Sequence, residues 1–219
     1  MRVWAFVSQK GGSGKSTLST QLAVHAVECG ERVLIIDLDP QGSAEEWHKM
    51  RGTDRHPGAL RCKPENLQAV LNKSSTFFSL VMIDTVPHTD KDALIAIRAA
   101  DLIICPTQPS LFDLKSLEDT ALLLANADRK TAAICVVNAV PPGKGETASY
   151  NEAAAVVNEY GLALAKNHIC HRRAYVTSTN EGKGVTETND KKAAEEIKRL
   201  WVELTKASPS VVARRERAR

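Results

Sequence analysis

Gln9-Lys10-Gly11-Gly12-Ser13-Gly14-Lys15-Ser16-Thr17 follows directly on the apolar run Val3 to Val7, so a short buried strand hands over to a glycine-rich loop and then to a helix. Gly11, Gly12 and Gly14 allow backbone conformations that a Cβ would forbid, and consecutive N–H groups can then converge on an anion. The helix starting near Lys15 adds the positive end of its dipole, and phosphate is the natural guest. Lys15 can reach the outer phosphates of a nucleotide, the Ser16 hydroxyl can serve Mg²⁺, and Thr17 can hold the inner phosphate. Gly11, Gly12, Ser13, Gly14, Lys15, Ser16 and Thr17 are therefore the candidate nucleotide ligands. A glycine-rich turn with solvated lysines is the competing reading, and it accounts for neither the spacing nor the strand, loop and helix order.

The common phosphate-loop pattern G-x-x-x-x-G-K-S/T is not met, because Gln9 stands where its first glycine belongs. What remains is K-G-G-x-G-K-S/T, with Lys10 as a second lysine. Two ammonium groups so close repel each other in an empty site, and a triphosphate relieves the repulsion. This loop resembles the deviant Walker A motif of the ParA/MinD superfamily. The resemblance implies that Lys10 reaches across a dimer interface to the partner's ATP. A loop lysine with no such role is the alternative.

Val33 to Leu38 reads as a buried strand that delivers Asp37 and Asp39 into Asp39-Pro40-Gln41-Gly42. That loop leaves the carboxyl edge of the strand, where open α/β sheets bind ligands. The element is similar to the family's D-x-D-P-Q-G, whose second aspartate orients the attacking water; this implies a catalytic set of Lys10, Lys15 and Asp39. An aspartate after a strand also caps the next helix, a role that suits Asp37 better than Asp39. Leu80 to Ile83 is another apolar run, ending in Asp84-Thr85-Val86-Pro87. Asp84 can hold Mg²⁺ directly or through water, so Ser16 and Asp84 form the candidate metal site. The family shows D-T-P-P or D-x-P-P here; Val86 departs from that pattern and His88 is unusual beside it.

Strand and helix patterns continue to alternate. Leu102 to Cys105 precedes Pro106-Thr107-Gln108-Pro109-Ser110, a helical pattern of Leu111, Leu114, Leu117, Leu122 and Leu123 follows, and Ala132 to Val137 makes a further strand ending at Asn138. The expected fold is α/β: a doubly wound, mostly parallel twisted sheet with helices on both faces, the P-loop NTPase fold. The resemblance gives Asn138 a contact with the adenine edge, and a turn-forming asparagine is the competing explanation.

The 219 residues fit one domain, expected over residues 1–206, with no Gly/Ser or Pro-rich linker dividing them. Residues 207–219 are short of core-forming side chains and read as a basic, flexible tail. The five cysteines are scattered with no C-x-x-C pair, which disfavours a zinc ribbon or a bridging iron–sulfur cluster and points to reduced thiols. The start of the chain lacks the pattern of a signal peptide, and no apolar run approaches about 20 residues, so a cytoplasmic protein is expected, and the resemblance implies that it is nucleoid-associated.

Charge is unevenly placed. The chain carries +3 overall, while Lys166 to Arg219 holds 13 Lys and Arg against 7 Asp and Glu. Arg172, Arg173, Lys183, Lys191, Lys192, Lys198 and Arg199 can follow a phosphate backbone, or can belong to a solvated face interleaved with Glu195, Glu196 and Glu203. The order of these segments is similar to the C-terminal third of short ParA proteins, whose basic residues bind double-stranded DNA without sequence preference. The resemblance thus implies an ATPase that uses ATP and Mg²⁺, dimerises with ATP bound, partitions DNA and answers to a ParB-like centromere-binding or other adaptor protein. Positioning of a protein cargo uses the same chemistry. A MinD-like membrane ATPase needs a large apolar C-terminal face, which Val211 and Val212 among arginines do not supply, so no stable membrane association is expected.

Overall fold

The computed structural model describes residues 1–87 and 90–208, so His88 and the basic residues beyond Ser208 lie outside the described residues. Seven parallel strands form one sheet: β1 (Arg2–Phe6), β2 (Val33–Asp37), β3 (Gly58–Arg61), β4 (Leu80–Asp84), β5 (Leu102–Thr107), β6 (Ala133–Val137) and β7 (Ala163–Leu164). Their order is β3-β2-β4-β1-β5-β6-β7, with β1 in the middle. The helices are α1 (Lys15–Glu28), α2 (Ser43–Arg51), α3 (Leu67–Ser74), α4 (Asp90–Ala99), α5 (Leu111–Asn126), α6 (Glu146–Glu159), α7 (Arg173–Asn180) and α8 (Lys191–Ala207).

Alternation along each strand sorts the core into two halves. Trp4 and Phe6 of β1 and Ile35 of β2 face a cluster with Leu18 and Leu22 of α1, Trp47 of α2, Tyr175 of α7 and Leu200, Trp201 and Leu204 of α8. Val3, Ala5 and Ile36 point the other way, to Leu71 of α3, Ile97 of α4, Leu124 of α5 and Val157 of α6. Both faces of the sheet are covered, which is why its inner strands read as near-continuous apolar runs with charged residues only at their ends. Helix α8 has a strongly one-sided apolar stripe at Ile197, Leu200, Trp201 and Leu204. Asp190 starts it, accepting hydrogen bonds from the Lys192 and Ala193 amides.

The five strands read from apolar runs are present with ends within a residue or two. The two edge strands β3 and β7 gave no such run: β3 is half-exposed and four residues long, β7 only two. The helix α8 continues to Ala207, and Ser208 is buried with its hydroxyl accepting from the Trp4 indole N–H at 3.0 Å. Of the expected tail, residues 207 and 208 are thus part of the folded body.

Candidate functional site

The sheet order places the ends of β1, β4 and β2 side by side, and all the candidate groups for phosphate and metal emerge there. The loop from Ser8 to Gly14 leaves the central strand and turns into α1. Gly12 and Gly14 have φ of 77° and 104°, a region that side chains disfavour. Gly14 is held in a second way, since a Cβ there would lie 2.0 Å from Asn138 Nδ2. The Asn138 amide donates to the Ser13 carbonyl at 2.8 Å, and the Gln108 amide donates to the Gly12 carbonyl at 2.7 Å. Two side chains from the ends of β6 and β5 therefore brace the Ser13 and Gly12 carbonyls of the loop.

Lys15 is buried and its ammonium donates to the carbonyls of Ser8 and Lys10, both at 3.2 Å. Burial lowers its pKa, while Asp84 and Asp39 pull the other way. Lys10 is half-buried at the leading edge of the loop, and its carbonyl receives one of the Lys15 bonds.

The two aspartates at the end of β2 and in the turn that follows have separate surroundings. Asp37 is fully buried, accepting from the amides of Ala44 at 2.9 Å and Glu45 at 3.2 Å, and so caps the start of α2. Its other oxygen accepts from the Asp39 amide at 2.9 Å, fixing the turn that presents Asp39. Asp39 is only half-buried and closes its own turn on the Gln41 amide at 2.8 Å. It lines a cavity of about 540 Å³ together with Gly11, Lys15, Ser16, Thr17 and Thr85.

Asp84 completes the triangle. It is fully buried, and neither carboxylate oxygen has a hydrogen-bond partner. Burial pushes its pKa up to about 7, with the Ser16 hydroxyl and Lys15 opposing and Asp37 and Asp39 adding to the rise. A buried carboxylate without a partner is costly, and a divalent cation beside the Ser16 hydroxyl would satisfy it, so the residues present fit Mg²⁺. The neighbouring Thr85 hydroxyl donates to the Phe6 carbonyl at 2.7 Å and ties β4 to β1 at this edge.

On the other side of the loop lies a cavity of about 360 Å³, lined by Thr17, Asn138, Ile169, Cys170, Arg172 and Tyr175 among others. Arg172 also borders a separate basic depression of about 510 Å³ with Lys166, Lys191, Lys192 and Arg199. Of the seven sequence candidates, this depression gathers Arg172, Lys191, Lys192 and Arg199. Two are partly neutralised: Arg172 is paired with Glu196 and Arg199 with Glu195. Arg173 is exposed at the start of α7, Lys198 is exposed on α8, and Lys183 is paired with Glu181 at 2.9 Å. These last three are not in the wall of the depression.

Sequence reasoning missed three supports. Gln108 sits in Thr107-Gln108-Pro109, where a polar residue after a buried strand is a usable signal. The brace made by Asn138 is invisible without the strand order. Glu196 holds Arg172, Tyr175 and the Cys170 amide at once, and its helical spacing alone reads as a surface carboxylate.

A central strand feeding a phosphate-type loop, with aspartates at two neighbouring strand ends, defines a nucleotide-binding P-loop protein of the doubly wound class. The chain belongs to the CobQ/CobB/MinD/ParA nucleotide binding domain family, matched over residues 4–185. It is 32% identical over 213 residues to the maintenance of carboxysome distribution protein A of Gloeobacter kilaueensis, covering 91% of this chain and 95% of the relative. It is 30% identical over 161 residues to the chromosome-partitioning ATPase Soj of Thermus thermophilus, covering 59% of this chain and 63% of Soj. Among solved structures, the ATP complex of Cyanothece McdA superposes with a TM-score of 0.71 at 17% identity, over 94% of this chain and 96% of that one. Among the described residues, no helix is long and apolar enough to cross a membrane.

Proposed function

We propose that this chain is a ParA-type ATPase that partitions DNA, dimerising on Mg-ATP, binding DNA without sequence preference and releasing it on hydrolysis. The observation that carries the reading is the convergence of the two-lysine loop, Asp39 and partnerless Asp84 on one sheet edge. The loop amides and Lys15 would hold the phosphates, and Thr17 and Asn138 would face the side where the base lies. Ser16 and Asp84 would hold Mg²⁺, which supplies positive charge against the phosphate oxygens. Asp39, fixed by its turn yet accessible, would orient the attacking water. Lys10 would cross to the nucleotide of a second copy, so that ATP closes the pair and loss of the outer phosphate opens it.

The basic depression would lie on the surface that meets the DNA backbone, with Lys166, Lys191 and Lys192 forming no ion pair among the described residues. Arg173, Lys183 and Lys198 would widen that surface. ATP-dependent DNA binding would place the protein on the nucleoid, and a cargo-bound adaptor would stimulate a slow intrinsic hydrolysis that releases it. A second reading is favoured by the extent of similarity to the carboxysome distribution protein, which spans nearly the whole of both chains. In that reading the cargo is a protein assembly and the DNA serves as the matrix.

The deciding experiment compares binding to non-specific duplex DNA with ADP, ATP and a nonhydrolysable ATP analogue, together with the mass in solution. The expected result is a dimer and DNA retention with ATP and its analogue only. Lys10→Ala is expected to bind ATP and stay monomeric. A monomer in every nucleotide state, or DNA binding indifferent to nucleotide, would overturn the proposal.

A further inference from the structure

We propose that Glu146, His168 and Cys170 form a zinc site that clips the segment before α7 to the start of α6. One ligand atom from each lies within 4.8 Å of the others. His168 Nε2 and Glu146 Oε1 are already 3.0 Å apart, and Cys170 is 2% exposed. Carboxylate, imidazole and thiolate are the ligand types that Zn²⁺ accepts together. Tetrahedral coordination at about 2.0–2.3 Å leaves the Glu146–His168 spacing nearly as it is and asks the Cys170 sulfur to draw in by roughly 1 Å.

The backbone holds these ligands from independent directions. Glu146 opens α6, where its second oxygen accepts from the Gly143 amide at 3.3 Å. His168 follows a turn whose Lys166 and Asn167 amides both donate to Glu203 of α8, at 2.7 and 3.0 Å, and the Tyr150 ring packs against its imidazole with centroids 5.2 Å apart. Cys170 bridges to Val140 at the sheet's edge, and its amide donates to Glu196 at 3.2 Å. Such second-layer contacts orient metal ligands and restrict their rotation. The neighbouring lysines and arginines oppose a bare cation. Glu146 and the Cys170 thiolate together bring two negative charges, which cancel those of Zn²⁺.

Binding breaks the Cys170 S–H bond, forms a sulfur–zinc bond and releases the proton to solvent. A solvent molecule takes the fourth position, since the depression leaves the His168 and Glu146 side open. The metal's role is structural. It ties Cys170 and, two residues on, Arg172, both lining the cavity beside the phosphate loop, to the start of α6.

The test uses the intact chain, free of nucleotide and Mg²⁺. Zn²⁺ affinity is read by competition with a chromophoric chelator, and Co²⁺ substitution is read by absorption. One Zn²⁺ per chain is expected, along with a rise in melting temperature. Co²⁺ should give visible tetrahedral bands and a near-ultraviolet thiolate charge-transfer band. Cys170→Ser should remove that band and His168→Gln should weaken Zn²⁺ binding, each by about tenfold or more in affinity. Cys29→Ser, which removes the exposed thiol beside His25, and Lys15→Ala, which disables the phosphate site, should leave both readouts unchanged. A band lost with Cys29→Ser, no charge-transfer band at all, or Zn²⁺ affinity indifferent to His168→Gln and Glu146→Gln overturns the proposal. Those two variants carry the test if Cys170→Ser does not fold.

Discussion

Asn138 and Gly14 depend on each other sterically. The glycine has no Cβ because the asparagine amide occupies that space, and the amide is there because the Ser13 carbonyl needs a donor. Asn138→Ala should leave the fold intact while loosening the loop, weakening nucleotide binding by about 1–2 kcal/mol in calorimetric titration. Asp84 carries a second prediction. Its folded-state pKa of about 7 lies above the ordinary 3.8, so the folded protein binds its proton more tightly than the unfolded chain does. In Mg²⁺-free protein the associated stability is full below about pH 4 and is lost as the pH rises through about 7, at a cost on the order of 4 kcal/mol. Urea unfolding at about pH 5 and pH 8 measures that slope, and Asp84→Asn should flatten it. The lysines, the glycines and both aspartates were legible as a motif. The braces were not, because Gln108 and Asn138 act through strands distant in sequence.

At the scale of elements, α8 joins the fold to the basic depression. Its apolar stripe packs Trp201 against Trp4 of the central strand, ring centroids 5.2 Å apart, while Lys191, Lys192 and Arg199 stay on the outer side. Truncating Trp201 to Ala should cost about 3–5 kcal/mol in a denaturant titration, since a buried aromatic leaves a cavity that the sheet cannot fill by collapsing. Asp190→Ala should cost about 1 kcal/mol through the lost cap. Buried strands were readable as continuous apolar runs because both faces of this sheet are covered. β3 and β7 lie at the edges, where short pairing replaces burial, and four or two residues give no period to read.

Across the whole molecule, the phosphate loop and the basic depression sit at different places on the surface, and Arg172 borders both the depression and the cavity beside the loop. Replacing Lys191 and Lys192 with Glu should weaken DNA binding alike on every sequence and lower its salt dependence, with ATP affinity unchanged; filter binding across a salt series reads this. A concentration of positive charge was visible in the chain, whereas its division was not. Ion pairing with Glu181, Glu195 and Glu196 decides which of those charges are partly neutralised; the first two partners are neighbours in sequence, whereas Arg172 meets Glu196 only in the folded chain.

All three tryptophans are buried, and they occupy different stations: Trp4 on the strand that feeds the phosphate loop, Trp201 against it, and Trp47 on the helix that follows Asp39. The Trp47 indole N–H also reaches the Lys183 carbonyl at 3.4 Å, linking that helix to the segment after α7. The molecule thus contains its own optical probes, with intrinsic emission able to report, without any label, when the Asp39 turn moves and when the core opens.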